Sequence, residues 1–598
     1  MQSKKQLLVI GGVSYDTLHL QSSTVECAGG AGMYTAVAAI HCGVDSILFG
    51  PRPNDFSEHF TIVDQYLSDW IGPVIPKDQM PSFEISYRNR KTEYLTVSLD
   101  AEKNLSPEML PTNLTKFDLI HVTPLGDARK QLSFVQACRE RGAKHISAGT
   151  GLFNAENQAQ AVIDVMEHCD YFFMNRHEAA YIFGSMESAK TTTDKVLYIT
   201  LGSDGACILQ GSHATLIPTN YATEIDPTGA GDTFCGATLA YLIKNKHPIM
   251  AARQAVVTAT AMIKEIGPMA LFSGKPPLEA PLDARVNLNS TQIRKVSNKI
   301  ATLAEVSPFP FVSPVLPSSM DPKALDYFFA ATAHQFSFWS THNQQYDQPL
   351  LAPLAGNMHK GSDYLWEAFR LALEKDNDFC SPERQANLSL NELKEIFRDD
   401  NGNDPMPALE LHLEESLRYG KDMLSLQMTP HSIIEYVNNS KHSLQTLLNL
   451  LDKIGGYKED PLRKKSGLLA LILNQRPEKF LTLQEDEQVD PVIDYHAMRF
   501  CLRIGLINVL DDKLNMKLTK RKIVSPSEEW AVRYAAYRAR EEIVRLSGKS
   551  EGAVDWFFFN ARNRCPEMTE PDCELCQIDP MCNHIKNMFQ PVLRTTFY

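Results

Sequence analysis

Asp226-Pro-Thr-Gly-Ala-Gly-Asp-Thr-Phe234, followed by a helical run over 235–244, is the stretch on which the reading of this chain turns. Gly229, Ala230 and Gly231 place consecutive backbone N–H groups at a helix N-terminus, where a developing phosphate charge is best stabilised. Asp232 at the same terminus can take the proton of an attacking hydroxyl. Taken alone, Gly-x-Gly-Asp also reads as a glycine-rich turn capped by an acid. Upstream, short apolar runs at 6–10, 118–123, 171–174 and 196–200 alternate with helix-length amphipathic stretches. That alternation predicts an α/β fold, a parallel sheet with crossover helices. Residues 83–87 and 92–99 alternate in polarity around the polar turn 88–91 and predict a hairpin protruding from that core, placed to act as a lid.

Proline density at 273–281 and 307–317 forbids regular elements and marks linkers. Beyond 321 helical periodicity dominates, at 389–398, 408–424, 443–454, 466–473 and 530–547. The expected division is an α/β domain over 1–272, a Pro-rich linker region over 273–320, and a mainly α domain over 321–598.

With 598 residues, 43% hydrophobic and 22% charged, the chain is globular in composition and long enough for several cores. Net charge is −13, and neither half is basic, which argues against a nucleic-acid polymer as partner. No signal-type apolar segment follows Met1, and no run approaches 18 apolar residues, so no membrane segment is expected and the protein reads as cytoplasmic. Eight of the 12 cysteines are scattered among apolar neighbours and read as reduced core thiols. Cys565, Cys573, Cys576 and Cys582 crowd into one loop and read as metal ligands.

The nonapeptide resembles the signature of the PfkB or ribokinase family of sugar and nucleoside kinases, and the resemblance spans about 270 residues in order. Gly11-Gly12 with Asp16 is similar to that family's first substrate loop, and Gly29-Gly30-Ala31-Gly32 to its second glycine motif. Asn175-Arg-His-Glu178 matches its NxxE element, linked to Mg²⁺ and phosphate, and Thr200-Leu-Gly202-Ser-Asp-Gly205 its nucleotide-side strand and turn. The resemblance implies a parallel sheet with helices on both faces and a small β lid, with ATP and Mg²⁺ as cofactors. It implies that Asp16, Gly29 and Gly30 hold the acceptor, that Asn175, Glu178, Thr200, Gly202, Gly205, Thr228, Gly229, Ala230 and Gly231 hold ATP and its phosphates, and that Asp232 is the base. Two departures bear on the acceptor. Tyr34 stands where the family has an Asn that contacts the sugar, and residues 147–151 replace a more polar segment. An aromatic at Tyr34 either stacks on a base, favouring a nucleoside, or packs in the core.

In the second half the four cysteines, spaced x7, x2 and x5, suit zinc or an iron–sulfur cluster. Their spacing resembles the terminal iron–sulfur loop of endonuclease III-like glycosylases with one residue added, which favours a 4Fe–4S cluster with zinc as the alternative. Residues 491–505 are similar to the D-x-H-x-x-R stretch of helix-hairpin-helix glycosylases, making Asp494 a candidate to stabilise an oxocarbenium-like sugar. A plain helix N-cap explains the same residue. The wider order of motifs resembles the queuosine salvage protein family: Asp326-Tyr-Phe-Phe and Phe336-Ser-Phe338-Trp339-Ser, then 361–373, then 388–407, then Lys464-Lys465 and Asp494. That family has a glycosylase-like fold and releases queuine from queuosine 5′-phosphate. The resemblance implies that Lys464 or Lys465 and Asp494 are active-site residues and that Phe336, Phe338 and Trp339 contact the base, although single aromatics at helical spacing are also core.

The combined expectation is a bifunctional salvage enzyme acting on a small nucleoside and then its nucleotide, with homodimerisation open. One alternative is a DNA-base glycosylase carrying an accessory kinase domain, favoured by the cysteine loop. The other is a kinase with a catalytically silent helical scaffold.

Overall fold

A computed structural model describes residues 5–598 except 21–22, 89–90, 193, 212, 273–281 and 486. The chain forms two compact units, 1–281 and 282–598. No helix among the described residues is long and apolar enough to cross a membrane.

The first unit is built on a nine-stranded sheet. Seven strands, in the order Val196–Thr200, Tyr171–Asn175, Ile146–Gly149, Leu119–Val122, Gln6–Ile10, Asp45–Phe49 and Asp69–Ile71, run parallel. Ala206–Gln210 and His213–Ile217 extend it antiparallel at one edge. All four strands read from the sequence are present. Gln6–Ile10 shows why its residues are apolar without interruption: Leu7 and Val9 enter one core and Leu8 and Ile10 another, as a strand covered on both faces requires.

The hairpin read from the sequence is Ser82–Arg88 paired with Lys91–Ser98; its tip, residues 89–90, lies outside the described residues. It does not stand alone. Ser82–Arg88 pairs with Ser14–His19, which pairs with Thr24–Gly29, giving a separate four-stranded sheet. The partners escaped the sequence reading because 14–19 mixes polar and apolar residues without a clean alternation.

The second unit is mainly helical, with two small hairpins, Trp339–His342 with Gln345–Pro349 and Leu351–Leu354 with Asn357–Lys360. The expected linker is only partly one. Residues 273–281 lie outside the described residues, whereas Val286–Leu288 pairs with Ile507–Val509 and helix Ser290–Thr302 packs Ile293, Val296 and Ile300 into the core of this unit. Prolines flank this stretch without interrupting it, so the second unit starts near 282 and not at 321. The eight scattered cysteines are buried free thiols.

Candidate functional site

In the first unit the nonapeptide forms the entrance to helix Ala230–Ile243. Asp226 is fully buried and accepts from the amides of Thr228 at 2.9 Å and Gly267 at 2.8 Å, pinning the turn. Gly229 is left-handed, φ 75°. A Cβ there would lie 2.5 Å from ring atoms of Tyr34. Of the three amides expected to face a phosphate, that of Ala230 is already bonded to the Pro227 carbonyl. Those of Gly229 and Gly231, and that of Asp232 beyond them, have no protein acceptor among the described residues.

Tyr34 is buried at 2% exposure and serves as the packed surface beneath Gly229. Its hydroxyl has no hydrogen-bond partner among the described residues. Gly29 is small because the Asp16 carboxylate occupies its side-chain space, 1.8 Å from an added Cβ. Gly30, φ 93°, opens helix Ala31–His41 against the Gly12 carbonyl. Burial pushes Asp16 up to about 7, although Ser14 Oγ donates to it at 2.6 Å.

Asn175 and Glu178 form a reciprocal capping box on helix Arg176–Phe183, with the Asn175 amide donating to Glu178 Oε2 at 2.7 Å. Burial, with the Asp232 charge adding, pushes Glu178 up to about 7. Asp232 is pushed up to about 6 by desolvation. Among the described residues no lysine or arginine opposes the shift of either group. Two carboxylates without a cation, beside free helix amides, are a donor set suited to a hard divalent cation and a phosphate. Thr200 ends its strand and Gly202 opens the following 3₁₀ turn; at Gly205, φ 96°, a Cβ would strike the Ile217 carbonyl.

Sequence reasoning missed Glu102, which is buried, accepts from the Gly12 amide and is pushed up to about 7 by burial. Nothing in its surroundings 100–103 signals this; the contact arises only when the first strand's exit meets that turn.

The second unit holds a cavity of about 720 Å³. Lys464, the first residue of helix Lys464–Gln475, and Asp494, the N-cap of helix Tyr495–Arg503, both line it. Asp494 Oδ1 accepts from the Ala497 amide at 2.8 Å, so it is a cap and a cavity residue at once. Lys464 Nζ donates to the Gln335 carbonyl at 3.0 Å, and burial pushes it down to about 8 against the pull of Asp494. Its amide is held by Asp460 at 2.6 Å, itself clamped bidentately by Arg533 at 2.8 and 2.7 Å.

Lys465 is different. It points into the protein, donating to the Ala333 carbonyl at 2.8 Å, 3.8 Å from Glu415 and 5.1 Å above the Phe336 ring. Of the three expected base-binding aromatics, Phe338 lines the cavity. Phe336 instead stacks on His412 at 4.2 Å in the interior, and Trp339 lies under Arg594 at 4.2 Å and beside Tyr346. The other aromatic walls were missed: Trp366, Tyr598, and Phe309 stacked on Trp556 at 3.9 Å. Phe309 belongs to the proline-rich 307–317, which is wall and not tether. Asp555, also on the cavity, was missed too.

The four clustered cysteines are free and partly exposed. Arg503 Nη1 donates to Cys565 Sγ at 3.3 Å and the His584 amide to Cys582 Sγ at 3.3 Å. Among the described residues, the group of three potential ligand atoms within 4.8 Å of one another is Cys573, Asp579 and His584.

Residues 7–273 match the family model described as pfkB family carbohydrate kinase, and residues 315–466 the one described as queuosine salvage protein. The second match takes in Lys464 and ends before Asp494. Over 256 residues the chain is 32% identical to the ribokinase of Bacillus subtilis, 42% of this chain and 85% of that one. It is 23% identical to the cytidine kinase of Thermococcus kodakarensis over 273 residues, 44% of this chain and 97% of that one. A 139-residue stretch is 30% identical to the ribokinase of Lactococcus lactis, covering 23% of this chain and 44% of that relative.

Proposed function

Through its first half the chain belongs to the pfkB family of carbohydrate kinases, and from that premise we propose a two-step salvage enzyme. The first unit phosphorylates the 5′-hydroxyl of a nucleoside with ATP and Mg²⁺. The second hydrolyses the N-glycosidic bond of the resulting nucleotide, giving free base and ribose 5-phosphate. The observation that carries the reading is the pairing of Lys464 and Asp494 on one aromatic-walled cavity, in a chain whose other half is a kinase. The similarity to a cytidine kinase supports a nucleoside acceptor, and the queuosine salvage match supports a queuosine-like base.

In the first site Asp232 takes the hydroxyl proton while the Gly231 and Asp232 amides face the transferring phosphate. Glu178 and Asn175 would hold Mg²⁺, which neutralises phosphate charge when bound. In the second, the aromatic walls hold the base, Lys464 faces the phosphate, and Asp494, fixed in place by the helix amide it caps, meets the positive charge developing at C1′. A glycosylase-like architecture for this unit is part of the proposal.

We also assign a 4Fe–4S cluster to Cys565, Cys573, Cys576 and Cys582. All four donors are sulfur, and two receive N–H bonds of the kind that stabilise thiolates. Incubating the protein with ATP, Mg²⁺ and a panel of nucleosides, with mass detection of nucleotide and base, tests the reading. Nucleotide accumulating without base release leaves a kinase with a silent helical unit, and base release from duplex DNA favours a repair glycosylase.

A further inference from the structure

The cavity of the second unit contains a carboxyl that the two-residue reading leaves without a task. Asp555, in the second turn of helix Glu551–Arg564, lines the same cavity as Lys464 and Asp494. Its protein partner is Arg540, at 3.4 Å from Oδ1, but Arg540 is buried and bonds more closely to Glu551. Glu551 also accepts from the Val492 amide at 3.1 Å. Lys464 lines the cavity with Asp494 and Asp555 and is drawn electrostatically to both, while its Nζ donates to the Gln335 carbonyl. Three carboxyls, Asp494, Asp555 and Glu551, therefore stand with two cations, Arg540 and Lys464, while Arg562 on the same cavity is paired with Asp363 at 3.0 Å. Burying that many charges with one uncompensated is costly, and the cluster relieves it by keeping a proton. Asp494 Oδ1 is committed to capping its helix, accepting from the Ala497 amide at 2.8 Å. The proton resides on the Asp555–Glu551 pair, both members being raised by burial with Arg540 opposing. Asp555 is the member that opens on the cavity.

We infer that Asp555 is the proton donor of this site, the acid that protonates the departing base while Asp494 meets the cation at C1′. The inference rests on the hydrolase reading above. As the C1′–N bond breaks, its electron pair stays with the base nitrogen, and the base takes up the Asp555 proton. Water adds its oxygen to C1′ and releases a proton to Asp494; Asp494 then gives that proton up to solvent and Asp555 takes one back, which restores both groups. Two carboxylates in one pocket with environments that separate their protonation states are a general arrangement for acid-assisted glycosyl cleavage.

The test compares a purine nucleoside 5′-phosphate with 4-nitrophenyl ribofuranoside 5-phosphate, whose leaving group departs without protonation. General acid assistance contributes about 10²–10⁴-fold, so Asp555→Asn should lose that much on the nucleotide and less than about tenfold on the nitrophenyl substrate. Asp494→Asn should lose heavily on both. Asp555→Glu, which keeps an acid, should recover part of the nucleotide rate. In wild-type protein the ratio of nucleotide to nitrophenyl rates should fall as pH rises, a readout that survives if Asp555→Asn does not fold. Equal losses on both substrates, or a pH-independent ratio, overturn the acid assignment alone. Wild-type protein that cleaves neither substrate overturns the hydrolase reading and this inference with it.

Discussion

Replacing Gly229 by alanine tests how the phosphate-facing turn is held. An L-residue at φ 75° costs about 1–2 kcal/mol in the left-handed region. The new Cβ would also sit 2.5 Å from three atoms of the Tyr34 ring, about 1 Å inside ordinary carbon–carbon contact of about 3.5 Å. Tyr34 is 2% exposed within the core of the first unit and cannot retreat without moving its neighbours, an overpacking that costs about 1–3 kcal/mol. The sum is about 2–5 kcal/mol, a large part of a domain's usual stability of about 5–15 kcal/mol. If the turn moves instead of the ring, the Gly231 and Asp232 amides are displaced, and a shift of about 1 Å can cost about 10²-fold in rate. Removing the ring as well, in Gly229→Ala/Tyr34→Ala, cancels the clash and keeps the φ penalty, so a double-mutant cycle should return about 1–3 kcal/mol of coupling. Denaturant melts and ATP-dependent phosphorylation measure the two consequences. A single variant within about 0.5 kcal/mol of wild type, the range of an ordinary surface change, or a cycle with no coupling, would refute the packing of Tyr34 under the turn.

Asp232→Asn should abolish phosphorylation yet leave base release from a pre-formed 5′-nucleotide, as separate assays of the two reactions would show. Because Asp232 titrates near 6 in the folded chain, phosphorylation should fall as pH drops through about 6. The same shift acts oppositely on stability: the raised carboxyl favours the folded state below its unfolded pKa of about 3.9, and that contribution is lost by about pH 6, so Asp232→Asn should not lower the melting temperature at pH 7. Lys464→Met should reduce the preference for nucleotide over nucleoside by about 2–5 kcal/mol, read as kcat/KM ratios. Lys465→Met should leave that preference in place and lower stability by about 1–3 kcal/mol, since it removes the donor to the buried Ala333 carbonyl and leaves Glu415 with Arg418 as its ion-pair partner. Anaerobically purified protein should absorb broadly near 400 nm and carry about four irons per chain; stoichiometric zinc without iron would reverse the cluster assignment.

What could be read from the sequence was what is local. Residues 226–234 carry their own turn, cap and helix start, and 6–10 its own burial on both faces, so their structures follow from neighbours in the chain. Glu102 and the Gly12 amide are 90 positions apart, and nothing at either site announces the other. The linker reading failed for a similar reason. Proline at 308, 310, 314 and 317 does exclude helix and ladder, but an irregular segment can still be packed, and Phe309 is, against Trp556.

Lys464 and Lys465 show where sequence reasoning stops at a single residue. Both are charged, both follow the same turn, and motif order alone left them interchangeable. On a helix, adjacent residues point about 100° apart, so only one can face a given cavity. The choice is made by the helix entrance: Arg463 at φ 53° and the Asp460–Arg533 clamp on the Lys464 amide fix the rotation of the first turn. That rotation carries Lys464 toward Asp494 and drives Lys465 against Ala333 and Glu415. Arg533 lies 69 residues beyond Lys464, so the assignment depends on a contact between distant segments. Substituting Arg533, which does not line the cavity but packs against its Tyr598 wall, should therefore impair the proposed base release, and should lower the Lys464 preference for nucleotide that Lys464→Met removes directly.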